Sequence, residues 1–142
     1  MPKIERNMTA SPSDVWAAII DPHTYPAWLL GADKIRALDA DWPQPGSDFH
    51  HRVGVGPLKI DDRTTIVEVL PNTRLILRIR ATPIVRATVT FTVAGSHGGT
   101  LFGFEEDPAI PIIGELVRPL MGPITRVRNS HSIDRLEKFL AP

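Results

Sequence analysis

The sequence predicts an α+β fold in which an antiparallel sheet wraps around a C-terminal helix and leaves a cavity between them. Apolar residues recur at helical spacing near both ends of the chain, and they alternate with a period of two over most of the region between. The elements therefore follow the order strand, two short helices, a run of strands and one last helix. This order and the length favour a single domain over residues 1–142.

Two short helices are predicted directly after a first strand from Lys3 to Thr9. Ser11 or Ser13 can cap the first helix, because either hydroxyl can accept from an unpaired backbone N–H in the first turn. Its apolar face comprises Val15, Trp16, Ile19 and Ile20. Pro22 ends this helix, since the residue before a proline is pushed out of the α region. The second helical segment is predicted from His23 to Leu30.

A run of strands without intervening helices follows, which predicts antiparallel neighbours. The predicted strands are Ala32 to Leu38, Phe49 to Val55, Leu58 to Leu70, Leu75 to Arg80, Val85 to Val93 and Thr100 to Glu106. Alternation is clearest in Val85 to Val93, where valine, alanine and phenylalanine alternate with arginine and threonine. Such a pattern is typical of a sheet with one covered and one wet face. A bulge is expected at Asp61-Asp62.

The C-terminal third is predicted to be helical. Ile112 to Leu120 favours a helix, Gly122-Pro123 predicts a break or kink, and Ile124 to Leu140 predicts a long final helix. Ile124 and Val127 lie on one side of it. A second stripe contains Asn129, Ile133, Leu136 and Leu140. Apolar positions on two sides indicate a helix that touches more than one surface, as one in the mouth of a curved sheet would.

Composition and charge narrow the class of protein. The 142 residues include 16 basic and 16 acidic side chains and no cysteine. A net charge of zero argues against nucleic acid as a partner, and no apolar stretch approaches the roughly 20 residues of a membrane span. Without cysteine there is no disulfide framework and no thiolate metal site. The N-terminus lacks the layout of a secretion signal. We therefore expect a cytoplasmic protein without a cofactor. The sequence does not indicate its oligomeric state.

Several short motifs are spread over nearly the whole chain. They are Val15-Trp16 with Asp21-Pro22, Tyr25-Pro26-Ala27-Trp28, Pro45-Gly46-Ser47 before Phe49, Gly98-Gly99-Thr100 before Glu106, and Arg128-Asn129 with Ile133 and Leu136. In order and spacing the chain resembles the START-like, or SRPBCC, superfamily, and within it the polyketide cyclase/dehydrase-like branch. The resemblance implies a helix-grip fold: a strongly bent, seven-stranded antiparallel sheet around a long C-terminal helix, with two short helices between strands one and two.

The predicted cavity favours the binding of a small hydrophobic molecule that is lipid-, polyketide- or aromatic-like. Such a pocket needs an apolar lining with a few polar groups that orient the ligand. The candidate lining residues are Trp28, Phe49, His51, Val53, Phe102, Phe104, Glu106, Val127, Arg128 and Asn129.

Two polar positions in this set could carry chemistry. Adjacent strand residues point to opposite faces, so only one of His50 and His51 can face the cavity, and the phase shared with Phe49 favours His51. It is either a hydrogen-bonded lining residue or an acid/base group. Glu106 shares its phase with two phenylalanines and faces the helix that carries Arg128. The two form either an ion pair that ties helix to sheet or a contact with the ligand.

Two other functions stay open. In an enzyme of the cyclase/aromatase type, His51, Glu106 or Arg128 would move protons, although no residue stands out as catalytic. A protein-interaction module would instead bind a partner through an exposed apolar outer surface. A metal site needs three convergent ligands. The remaining histidines lie on different elements, so we expect no metal.

Overall fold

The computed structural model of the chain describes residues 3–30, 32, 35–55, 57–81, 85–109 and 114–142, of which 52–55, 58–62, 81, 85, 108–109 and 114–122 are described by their backbone alone. Two short helices follow the first strand, and a 3-10 turn, Pro22–Thr24, separates them. The helices are α1 (Pro12–Ile19), α2 (Tyr25–Trp28) and α3 (Gly114–Leu140). The strands are β1 (Lys3–Met8), β2 (Ala37–Leu38), β3 (Asp48–Val55), β4 (Leu58–Leu70), β5 (Arg74–Ala81), β6 (Val85–Ser96) and β7 (Gly99–Ala109).

The strands form one seven-stranded sheet in the order β1-β7-β6-β5-β4-β3-β2. Every neighbouring pair is antiparallel. Strands β2 to β7 form a meander, and β1 joins its far edge beside β7. The predicted α+β helix-grip architecture is confirmed, including the two short helices between the first two strands.

Three chain connections lie at the same end of the sheet. The β3–β4 hairpin follows the pair Val55 and Leu58, and the β5–β6 connection follows the pair Ala81 and Val85. Strand β7 ends beside the start of β6, and α3 begins a few residues later. We call this the hairpin end of the sheet. Because α3 starts here and returns along β7, its N-terminal half lies near the hairpin end.

The inner face of the sheet is the face covered by the helices, and it is mostly apolar. Its buried residues are Phe49, His51, Thr64, Ile66, Leu75, Leu77, Val89, Phe91, Val93, Thr100, Phe102 and Phe104. Phe91 lies at the centre of an aromatic cluster, with ring centroids 5.8 Å from Trp28, 5.7 Å from Phe102 and 4.8 Å from Phe104. The core is therefore built where α2 packs against β6 and β7.

Side-chain hydrogen bonds fix the two short helices. Ser11, rather than Ser13, caps α1, because its Oγ accepts from Asp14 N at 3.2 Å. The Tyr25 hydroxyl donates to the carbonyl oxygen of Ile19, which ties α2 to the end of α1. Burial, and secondarily the charge of Asp21, raise the pKa of Tyr25. Tyr25 is thus a protonated donor that orders the core.

Two local predictions in the sheet differ from the structure. The register runs unbroken through Asp61 and Asp62, so the bulge predicted there is wrong; it lies between Ile66 and Glu68. The intervening Val67 is exposed, which lets the extra residue bulge without loss of core packing. The strand predicted from Ala32 to Leu38 is represented among the described residues by β2, Ala37–Leu38, which pairs with β3. Residues 33 and 34 of that stretch lie outside the described residues.

The C-terminal helix is longer than predicted. It runs unbroken for 27 residues, so a break at Gly122-Pro123 is wrong, and the alternative of a kink there stays a prediction. An interior proline lacks a backbone donor and its ring crowds the carbonyl of residue i−4, but its φ is compatible with a helix and the buried face of α3 after this point supplies packing energy. The first part of the predicted segment Ile112 to Leu120 lies outside the described residues. Within the described chain, no helix has both the length and the hydrophobicity needed to cross a membrane.

Candidate functional site

The buried face of α3 changes in polarity along the helix. Its buried residues follow i, i+4 and i+3 spacing, which keeps them on one side: Thr125, Asn129, Ser132, Ile133 and Leu136. The members nearer the hairpin end are polar, and the last two are apolar. Ser132 Oγ accepts from the backbone N–H of Leu30 at 2.9 Å and so joins α3 to the end of α2. Thr125 and Asn129 thus bring polar groups to the sheet near the hairpin end.

Asn129 carries the least satisfied polar group of this face. The residue is 2% exposed, and its Oδ1 lies 3.5 Å from Arg128 Nε. Among the residues that the structure describes, its Nδ2 has no hydrogen-bond partner. A buried donor without an acceptor costs about 1–3 kcal/mol, and such groups are rare in native proteins. The Asn129 amide is therefore a buried hydrogen-bond donor that lowers the free energy of unfolding.

Glu106 and Arg128 connect the sheet to the helix beside this amide. Arg128 Nη2 donates to Glu106 Oε2 at 2.5 Å, so the predicted partnership is confirmed. The Glu106 side chain is 14% exposed and that of Arg128 is 43% exposed. The pair therefore lies at the edge of the buried region, with the carboxylate inside and the guanidinium near solvent.

Removing both partners should cost less stability than the sum of the single losses. Breaking a buried pair costs about 3–5 kcal/mol and an exposed pair about 0–1 kcal/mol. Because Arg128 is partly exposed, we expect a coupling of about 1 kcal/mol from a cycle of Glu106→Ala, Arg128→Ala and the double variant. Urea denaturation supplies the three free energies. The Glu68–Arg74 pair, 2.7 Å apart and more evenly exposed, is the control and should couple more weakly. Strict additivity for Glu106 and Arg128 would contradict the interaction.

His51 is the buried member of the histidine pair. Its Nε2 lies 2.9 Å from Thr64 Oγ1, and its ring is 5.4 Å from that of Phe49. His50, in contrast, is half-buried on the other face, with Nε2 3.5 Å from Asp39 Oδ1. The inner face therefore receives His51, as the phase of the strand indicated. In the register Asp62 is the residue opposite His51.

The other histidines lie apart on the surface. His23, His97 and His131 are exposed, and they belong to the 3-10 turn, the β6–β7 turn and α3. Among the described side chains, no three or more histidine, aspartate or glutamate residues gather closely enough to hold a metal ion.

The predicted aromatic lining residues belong to the packed interior. Trp28, Phe102 and Phe104 meet around Phe91, and Trp28 Nε1 donates to Thr24 Oγ1 at 3.0 Å. Phe49 contacts Tyr25 and Trp42 with ring centroids 5.7 and 5.4 Å apart. That these side chains touch a ligand stays a prediction. Val53 lies in β3, but its side chain is outside the described residues.

Val127 does not lie on the inner face. It is 59% exposed, and its neighbour Ile124 is 70% exposed. Val127 is two residues from both Thr125 and Asn129, a rotation of about 200° around the helix. The prediction that Val127 lines the site is therefore wrong. Sequence reasoning missed Thr125 and Ser132 instead, although their spacing of four and three residues from Asn129 was a usable signal.

An antiparallel sheet that grips a C-terminal helix, with an apolar inner face and polar groups where helix and sheet meet, defines a helix-grip domain. The chain belongs to the family described as polyketide cyclase/dehydrase and lipid transport, whose model matches residues 1–139. No curated protein matches the chain significantly.

Solved structures share this fold at low sequence identity. A protein from Chromobacterium violaceum is 18% identical with a TM-score of 0.75, covering 99% of this chain and 96% of its own. A protein from Mesorhizobium loti is 22% identical with a TM-score of 0.72, covering 97% of this chain and 94% of its own. CalU16 from Micromonospora echinospora is 19% identical with a TM-score of 0.66, covering 99% of this chain and 75% of its own. At these identities the likeness shows the fold alone.

Proposed function

We propose that this domain binds a small hydrophobic molecule between the inner face of the sheet and the middle of α3. The observation that carries the proposal is that two polar residues, Thr125 and Asn129, are buried on the side of α3 that packs on a mostly apolar sheet. Ligand sites combine a mostly apolar lining with a few polar groups that fix orientation. The family description, which includes lipid transport, supports the same class of function.

The sheet offers an apolar path toward these polar groups. Ile66, Leu77 and Val89 are paired in sequence across β4, β5 and β6, and Val89 is paired with Glu106 on β7. Residues directly opposite one another share a face, so this row crosses the inner face and ends at the carboxylate held by Arg128. An apolar ligand body lying along the row would bring its polar group close to α3.

A second candidate function is catalysis of the cyclase/aromatase type. It is favoured by one observation: His51 is buried on the inner face of the sheet, and an imidazole is the side chain that most often transfers protons in enzymes. Binding is preferred because Glu106 and Arg128 engage each other at 2.5 Å and His51 Nε2 lies 2.9 Å from Thr64 Oγ1. In this arrangement the polar groups hold one another in place.

Thermal denaturation with a panel of fatty acids, aromatic ketones and aromatic hydrocarbons tests the proposal. A ligand present at about a hundredfold excess over its Kd stabilises by about 2.7 kcal/mol, which corresponds to a Tm rise of about 5–10 °C for a domain of this size. We expect at least one class to produce such a rise. Calorimetric titration then supplies the Kd.

Two variants locate the binding site. Thr125→Met should fill space between α3 and the sheet and weaken binding about tenfold or more, whereas Arg126→Met on the exposed side of the same turn should not. Equal binding by both variants, or no Tm change with any class, would contradict the proposal. Turnover of a bound compound that His51→Gln abolishes without a change in Kd would favour the enzyme instead.

A further inference from the structure

The Asn129 amide and the ion pair beside it restrict the polar group that a ligand can present. Arg128 Nε lies 3.5 Å from the Asn129 oxygen, while the amide nitrogen has no partner among the described residues. An amide N–H can only donate, so it requires an acceptor oxygen. The polar group that a ligand can pair with on this face of α3 is therefore a hydrogen-bond donor.

Charge then decides between a neutral and an anionic acceptor. The Glu106 carboxylate is the better buried partner of its pair, and it already engages Arg128 Nη2 at 2.5 Å. A ligand carboxylate beside Asn129 would be repelled by Glu106 without a free cation from Arg128 to compensate. Like charges close together in a poorly solvated site disfavour ionisation or binding. A neutral oxygen meets no such penalty.

We propose that Asn129 is a specificity-determining residue that donates a hydrogen bond to the carbonyl oxygen of a neutral ligand such as a ketone, ester or amide. The site selects such molecules against carboxylates and hydrocarbons of the same skeleton. This inference rests on the proposed function and names the ligand chemistry that the same site takes. Thr125, buried one turn earlier on the same face, places a hydroxyl next to Asn129 along the helix.

Two matched sets of probes test the selectivity by calorimetric titration. The aromatic set is methyl naphthyl ketone, naphthoate and ethylnaphthalene, and the aliphatic set is methyl nonyl ketone, undecanoate and undecane. In at least one set we expect the ketone to bind about fivefold to tenfold more tightly than the hydrocarbon, the range of one net hydrogen bond. The carboxylate should bind more weakly than the ketone.

Substitution of Asn129 assigns this preference to the amide. Asn129→Leu should weaken ketone binding about fivefold to tenfold, leave the hydrocarbon unchanged and raise the Tm, because it removes a buried donor without a partner. Asn7→Leu makes the same substitution on the exposed face of β1 and should change none of these values. Asn129→Ala decides the outcome if the leucine variant does not fold.

The outcomes separate this inference from the proposed function. Equal affinity within a set, preference for the carboxylate, or a ketone preference that survives both Asn129 variants overturns the role of Asn129 while hydrophobic binding stands. Failure of every probe to bind, together with no Tm change across the wider panel, contradicts the proposed function and this inference with it.

Discussion

Replacing Phe91 by alanine should lower the free energy of unfolding by about 3–5 kcal/mol, the range measured for large-to-small changes at buried aromatic positions. Phe91 is fully buried, and its ring contacts Trp28 on α2 and both Phe102 and Phe104 on β7. Truncation would leave a cavity bounded by large rings, which cannot collapse around a methyl group. The loss should therefore reach the upper part of the range.

Phe139→Ala is the matched control for this experiment. The side chain lies near the end of α3 and is 45% exposed, so its removal should cost less than about 1 kcal/mol. Urea denaturation of the two variants measures both losses under the same conditions. Similar values for Phe91 and Phe139 would show that the aromatic cluster is not the centre of the core.

The sheet was predictable because its signal is local. Alternation in β6 placed Val89, Phe91 and Val93 on one face, and all three are buried. The same reasoning put Glu106 in phase with Phe102 and Phe104, and the contact with Arg128 followed once the helix was placed over that face. Period-two patterning reports burial directly, so face assignments of this kind need no knowledge of the tertiary structure.

The ends and faces of the helices were harder to predict. Gly122-Pro123 is a strong local breaker, yet α3 continues through it, because tertiary packing outweighs propensity. Val127 and Asn129 were both assigned to the site, although helical geometry separates them by about 200°. The stripe of Asn129, Ile133 and Leu136 was predicted and is buried. Thr125 and Ser132 on the same face were missed, because they add nothing to its apolar periodicity.

Apart from the Glu106–Arg128 pair, the contacts between distant parts of the chain were not predicted. Arg6 on β1 contacts Asp134, and it also reaches Glu137 Oε1 at 3.0 Å and Ser130 Oγ at 3.1 Å on α3. Burial opposes the charge of this guanidinium, but hydrogen bonds and the two carboxylates outweigh it and raise the Arg6 pKa. That Asn129 Nδ2 has no partner among the described residues could not be predicted either. Recognising it requires the positions of all the atoms around the amide.

The two glycines of the Gly98-Gly99-Thr100 motif are required for two different physical reasons. Gly98 has a φ of +80°, a backbone conformation that residues other than glycine rarely adopt. Gly99 is required for space: a Cβ there would lie 2.0 Å from the carbonyl oxygen of Met8. That oxygen belongs to β1, and Met8 is paired with Thr100 in the register. A side chain at residue 99 would thus push β1 away from β7.

Gly99→Ala should therefore lower the free energy of unfolding by about 3 kcal/mol or more, at or above the usual range for overpacking, because the clashing atom is backbone. Gly95→Ala is the matched control, since the nearest atom to its added Cβ is Pro12 Cγ at 4.0 Å, an ordinary contact. The control should change stability by no more than about 0.5 kcal/mol. Amide hydrogen exchange should also show faster opening of the β1–β7 pair in Gly99→Ala alone. Equal stability of the two variants would mean that β1 does not approach β7 as closely as the structure places it.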